Sequence, residues 1–137
     1  MKKTINYSNI IFILLIGIGV FYYLYLKGLI FSNFHNIEPV KAYNLLQKEK
    51  DRVVLLDVRT PEEVNSDGKI PDSILIPLDE LPNKIDLLPK DKKIIVYCRS
   101  GIRSVSASRL LSSLGYDVYN LSGGLKNWKS QNLPITK

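Results

Sequence analysis

The run KKIIVYC at 92–98 constrains the fold more than any other feature of this chain. It is apolar without alternation and of strand length, so a strand built from it is buried on both faces, as in parallel sheets covered by helices on either side. The run ends at Cys98. The segment that follows, RSGIRSVSASRLLSSLG, changes to helical spacing, with Val105, Leu110, Leu111 and Leu114 apolar and Gly115 placed for a left-handed cap.

The same alternation extends along the chain. IEPVKAYNLLQKEK places Val40, Tyr43, Leu45 and Leu46 at helical spacing, with Pro39 suited to a first turn. RVVLLDV and SILIPL read as strands, PEEVNSDGK as a helix opening on Pro and two acids, and DELPNKIDLL as a helix started or interrupted near Pro82. DVYNL makes a further strand and GGLKNWKSQNLP a last helix. Strands alternating with helices predict an α/β domain with an open, mostly parallel sheet and helices on both faces. In such sheets the ligand site lies beyond the carboxyl ends of the strands, where Cys98 falls.

Cys98 is the chain's one cysteine. A single thiol excludes an intramolecular disulfide, Cys-x-x-Cys redox chemistry and multi-cysteine zinc sites, so no metal or cofactor is expected and the choice is packing or nucleophilic chemistry. The strand, Gly loop and helix arrangement lets backbone N–H groups of residues 99–104 point inward around one anionic atom, with Gly101 free to take positive φ. The positive helix end, those amides, and the guanidinium groups of Arg99 and Arg103 all favour the thiolate. An inert buried cysteine at a strand end explains neither the glycine nor the two arginines.

The amino-terminal part is a separate object. Residues 10–26, IIFILLIGIGVFYYLYL, carry no charge over 17 positions, enough to cross about 30 Å of hydrocarbon, and Phe21, Tyr22, Tyr23 and Tyr25 suit an interfacial belt. LYLKGLIFSNFHN offers no good small-x-small cleavage site, and the remaining chain forms a domain without this segment; a retained anchor is therefore expected over a signal peptide or a core helix. The chain then divides into an anchor at 1–27, a juxtamembrane linker at 28–37 and a domain at 38–135. Lys2 and Lys3 before the span, against Lys27 after it, lean toward an outside domain by the positive-inside rule, and topology stays open. His35, in the linker, has no second His or carboxylate at metal spacing and is expected at the surface. The 19 basic residues are scattered, with KDKK at 90–93 the longest run, so no nucleic-acid partner is expected.

Three segments together resemble a single-domain rhodanese, a sulfurtransferase of the α/β class: LLDVRTPEEVNSDGKIPDSILIPLDEL, IIVYCRSGIRSVSASRLLSSLGY and VYNLSGGLKNWKSQNLPI. The resemblance covers about residues 38–135, and CRSGIRS is its most specific part. It implies a five-stranded parallel core and catalysis through a cysteine persulfide. Cys98 would take the outer sulfur of a small anionic donor such as thiosulfate and pass it to cyanide or a thiol, with a protein acceptor also open. Arg99, Ser100, Gly101, Ile102, Arg103 and Ser104 would form the substrate-binding loop. A tethered sulfur carrier or interaction module with little thiosulfate turnover is the second reading.

Cysteine phosphatases and arsenate reductases are a remote third, because they use Cys-x5-Arg. Here only four residues separate Cys98 from Arg103, and Ser104 stands where their arginine would be. Asp57 and Arg59 match the family's DVR positions and are expected to support the loop, with a plain pair at the surface as the alternative. Trp128 matches a late tryptophan that packs in the core. The family's common GHIPGA turn reads GKIPDS here, with Lys69 in place of the histidine and Asp72 and Ser73 in place of the small pair, which leaves substrate entry or turn geometry in question.

Overall fold

A computed structural model describes residues 3–137. The elements run α1 (Tyr7–Leu26), β1 (His35–Ile37), α2 (Pro39–Lys48), β2 (Val53–Asp57), α3 (Pro61–Asp67), β3 (Ile74–Leu75), α4 (Leu81–Lys84), β4 (Lys93–Tyr97), α5 (Arg103–Ser113), β5 (Asp117–Leu121) and α6 (Gly124–Ser130). The five strands form one parallel sheet in the order β1-β5-β4-β2-β3. The unalternating run at 92–98 becomes the central strand β4, paired with β2 on one side and β5 on the other.

Successive side chains of a strand point to opposite faces, and the core divides accordingly. Leu56, Ile94, Val96 and Val118 pack with Val105, Ala107 and Leu111 of α5 and with Leu81 and Leu88. Leu55, Ile95, Tyr97 and Leu121 pack on the other face with Ala42 of α2 and Leu125 and Trp128 of α6. Cys98 continues the first set, so the sulfur lies on the α5 side of the sheet. Helix α5 ends in a Schellman cap: Gly115 (φ +92°) donates to the Ser112 carbonyl and Tyr116 to that of Leu111.

Two elements are shorter than their sequence patterns. Of SILIPL only Ile74–Leu75 pairs, and Pro77, which has no N–H to give a ladder, follows closely. DELPNKIDLL splits into the single turn α4 and a 3-10 turn at Ile85–Leu87.

Helix α1 is 20 residues long, capped by the Asn6 side chain, and buries none of them. At about 1.5 Å per residue it measures about 30 Å, long and apolar enough to cross a membrane. The stretch read as a linker at 28–37 is built into the domain. His35, Asn36 and Ile37 pair with Tyr119, Asn120 and Leu121 as the edge strand β1. Phe34 is buried beneath Gly28, where a Cβ would come within 2.7 Å of its ring. Arg109 of α5 donates to the carbonyls of Tyr25 (2.9 Å) and Ile30 (3.1 Å), with its guanidinium 3.8 Å from the Tyr25 ring centroid. His35 is exposed and stacks on Tyr119.

Candidate active site

Strand β4 delivers Cys98 to the carboxyl edge of the sheet, and α5 begins five residues later. The thiol is 1% exposed. Its Sγ accepts the Gly101 N–H at 3.1 Å and lies 3.5 Å from the Ser104 hydroxyl. Gly101 has φ +93°, which turns the loop back over the sulfur. Of the amides of residues 99–104 expected to converge on the sulfur, that of Gly101 alone is hydrogen-bonded to it, and the Ser104 hydroxyl accepts from the thiol. Ser104, fully buried, donates onward to Oδ1 of buried Asn120 on β5 at 2.6 Å.

The two arginines of the loop differ. Arg99 is exposed, as are Ser100 and Ile102. Arg103 turns to Glu63 on α3 in a two-pronged pair, 2.7 Å from Nη1 to Oε1 and 2.8 Å from Nη2 to Oε2. Its charge is therefore shared with a carboxylate and is not free for an anionic donor alone. The Arg103 hydrogen bonds hold Glu63 below its ordinary value near 4.5 despite the opposing effect of partial burial. The contribution of such a depressed carboxylate to stability is fully present above about pH 4.5 and is lost as pH falls through the lower folded value. Both side chains are partly exposed, so the pair is worth about 1 kcal/mol or less. Glu63→Gln should remove this part of the acid sensitivity: the drop in urea midpoint between pH 7 and pH 3.5 shrinks, and an unchanged drop rules the pair out as its source.

Thr60 fixes Glu63 by capping α3, accepting the Glu63 N–H at 3.3 Å. Thr60, Pro61 and the two acids together form a helix start whose third residue reaches across to α5.

Asp57 and Arg59 form a fully buried ion pair, not a surface one, with Arg59 Nη2 2.7 Å from Asp57 Oδ2. Arg59 also donates to the Gly68 carbonyl at 2.8 Å. The pair thus braces the GKIPDS turn, and its hydrogen bonds do not reach residues 99–104. Burial works against the Arg59 charge, but the hydrogen bonds and charge of Asp57 outweigh it and hold the guanidinium above its ordinary value. Tyr97, directly before Cys98, completes this brace. Its hydroxyl accepts the Ile70 N–H (3.2 Å) and donates to Ser73 (3.0 Å), and burial, then the Asp57 charge, keep it a phenol.

Ser73 is therefore matched to Tyr97, while Asp72 sits at φ +65°, a backbone region that favours glycine. Asp57→Asn keeps the shape but leaves the Arg59 charge buried without its counter-ion, at a cost of about 3 kcal/mol. Denaturant unfolding should register that loss, and a change below about 1 kcal/mol would show the pair to be dispensable.

The pattern of the sequence did not point to four of the residues that build the site. Gly123 (φ +73°) and Gly124 (φ +63°) turn β5 into α6 beneath the sulfur loop. Leu125 then donates to the Cys98 carbonyl (2.8 Å) and Lys126 to that of Arg99 (3.0 Å). The GG dipeptide was the available signal. Glu63 and Asn120 carried none, since an acid in a first turn and an Asn in a strand have many uses.

One cavity, about 360 Å³, lies between Tyr43, Leu46, Ile70 and Trp128 on the α6 side, and no residue of the sulfur loop lines it. A smaller one, about 210 Å³, is lined by Ser100 and Gly101. Among the described residues no cluster of His, Cys, Asp and Glu could hold a metal ion.

The fold is a parallel α/β domain with one cysteine at the carboxyl end of its central strand, under a short Gly loop opening a helix. Within that class the chain belongs to the rhodanese-like domain family, whose model matches residues 38–131. A sulfurtransferase of Allochromatium vinosum is 38% identical over 102 residues, 72% of this chain and 94% of its own length. A putative sulfurtransferase of Bacillus subtilis is 36% identical over 84 residues, 61% of this chain and 81% of its own. The crystal structure of a rhodanese-related protein from Thermoplasma volcanium, 34% identical, aligns with a TM-score of 0.69 over 75% of this chain and 98% of that one.

Proposed function

We propose that the protein is a membrane-tethered sulfurtransferase that carries sulfane sulfur as a persulfide on Cys98. The observation that carries this reading is the Gly101 N–H aimed at Sγ at 3.1 Å from a four-residue loop, a donor fixed in place for a sulfur anion. The family membership and the names of the relatives agree with sulfur transfer in general. In the first half-reaction the Cys98 thiolate attacks the outer sulfur of a donor such as thiosulfate. The donor's S–S bond breaks, sulfite leaves with the electron pair, and Cys98–S–S⁻ remains. In the second, cyanide or a thiolate takes the outer sulfur and the Cys98 thiolate leaves. Arg99, Ser100 and Ile102 are exposed on the loop, and Arg99 would offer its positive charge to the anionic donor.

Helix α1 is the proposed single-pass anchor, with the domain on the outer face by the charge balance across the span. The test uses the full chain in detergent micelles with thiosulfate and cyanide. Thiocyanate should form, and intact mass should show Cys98 gaining about 32 Da, one sulfur atom. A chain that never gains the adduct from thiosulfate or polysulfide overturns the reading.

A second reading, a sulfur carrier serving a membrane partner, is favoured by the Arg103–Glu63 pair, which uses a cation that thiosulfate would otherwise engage. It is distinguished by an adduct that forms without thiocyanate turnover.

A further inference from the structure

The cavity of about 210 Å³ beside the sulfur loop has two owners. It is lined by Ser100 and Gly101 of the loop and Asn120 of β5, and also by Lys27, from the end of α1, and Asn36 and Glu38, from the segment that follows. The α1 end is not a loose neighbour. The Gly28 carbonyl accepts the Asn36 side-chain amide at 3.0 Å, Asn36 Oδ1 accepts that of Asn120 at 3.0 Å, and Asn120 Oδ1 accepts the Ser104 hydroxyl that lies beside Sγ. One hydrogen-bonded chain therefore runs from the sulfur to the residue after Lys27, and Arg109 pins the turn from outside.

Lys27 and Glu38 are the charged side chains on the wall, one of each sign, and among the described residues neither forms an ion pair. An ammonium and a carboxylate that share a cavity without bonding to each other match a ligand carrying both complementary charges. The volume is below the roughly 300–1,000 Å³ of sites for larger ligands, so the ligand is compact. Gly101, one of the lining residues, donates its N–H to the reacting sulfur.

We propose that this cavity is the acceptor subsite, completed by the end of the anchor helix, and that it takes a small zwitterionic thiol, with the carboxylate on Lys27 and the ammonium on Glu38. The inference rests on the persulfide reading of Cys98. The bound thiol loses its proton to solvent, and its thiolate attacks the outer sulfur of Cys98–S–S⁻. A new S–S bond forms on the acceptor as the old one breaks, and the electron pair returns to Cys98 as thiolate. No external oxidant or reductant takes part. A pocket half made from the anchor also places acceptor chemistry at the lipid–water boundary.

The test loads the full chain in micelles with polysulfide, removes the excess, and follows loss of the 32 Da adduct, about one sulfur, to four thiols. These are L-cysteine (both charges), cysteamine (ammonium only), 3-mercaptopropionate (carboxylate only) and 2-mercaptoethanol (neither). Each variant is compared with wild type on the same thiol, so differences in intrinsic nucleophilicity cancel.

Lys27→Met should slow transfer to cysteine and mercaptopropionate about tenfold and leave the other two within about twofold; Lys27→Arg should restore it. Glu38→Gln should slow cysteine and cysteamine by a similar factor. Equal losses on all four thiols, or no change on any, overturn the subsite while the persulfide reading stands. A wild-type chain that never loads overturns both.

Discussion

Cys98→Ser should leave the domain folded and end sulfur transfer. The replacement differs by one atom, and Gly101 can donate to a hydroxyl oxygen as it does to Sγ, so stability should change by no more than about 1 kcal/mol. The chemistry cannot survive the change, because a serine hydroxyl is protonated at neutral pH and its oxygen does not hold sulfane sulfur as a transferable disulfide. The adduct of about 32 Da should be absent, and thiocyanate formation should fall by about a thousandfold or more. The chain has no other cysteine to substitute. Residual turnover within tenfold of wild type would place the nucleophile elsewhere and reduce Cys98 to a packing residue.

Much of the architecture is written in local pattern. The run at 92–98 is apolar at every central position because both faces of β4 are covered, Ile94 and Val96 by α5 and Ile95 and Tyr97 by α2 and α6. Residues 103–115 combine helical spacing with a glycine stop, and both features appear at those positions. The lone cysteine between these two signals marked the candidate site. What stayed hidden depends on partners distant in sequence.

Strand β1 is three residues, HNI, at the sheet edge, with only Ile37 half-buried, so no periodicity announces it. It forms because β5 offers an unpaired edge, and the segment read as a linker becomes part of the fold. The pairing of Arg59 with Asp57 was legible, but its burial and its further partner, the Gly68 carbonyl nine residues after, were not. Arg103 reads as a cation aimed at the donor until Glu63, forty positions earlier, is brought against it. In each case residue type was legible and the partner was not, and the partner decides the role.

The dipeptide at 123–124 gives the clearest case, and its second glycine has a measurable consequence. Gly124 lies directly under the sulfur loop, and a Cβ there would stand 2.5 Å from the Cys98 carbonyl oxygen and 2.7 Å from both the carbonyl carbon and oxygen of Arg99. All three are backbone atoms, so no side chain can swing aside to make room. They cannot retreat freely either, because the same two carbonyls accept the N–H groups of Leu125 and Lys126. The position also has φ +63°, which costs an alanine about 1–2 kcal/mol before any contact is counted.

Overpacking of this kind adds about 1–3 kcal/mol. Gly124→Ala should therefore destabilise the domain by about 4 kcal/mol and displace the strand end that carries the thiol. Denaturant unfolding reads the first effect, and the rate of sulfur loading in the fraction that remains folded reads the second. Gly115→Ala is the control. It has φ +92° but nothing within 4 Å of its Cβ, so it should lower stability by only about 1–2 kcal/mol and leave loading intact. If the two variants behave alike, conformational freedom alone explains Gly124. If only Gly124→Ala loses loading, the close approach of α6 is what holds the sulfur loop in shape.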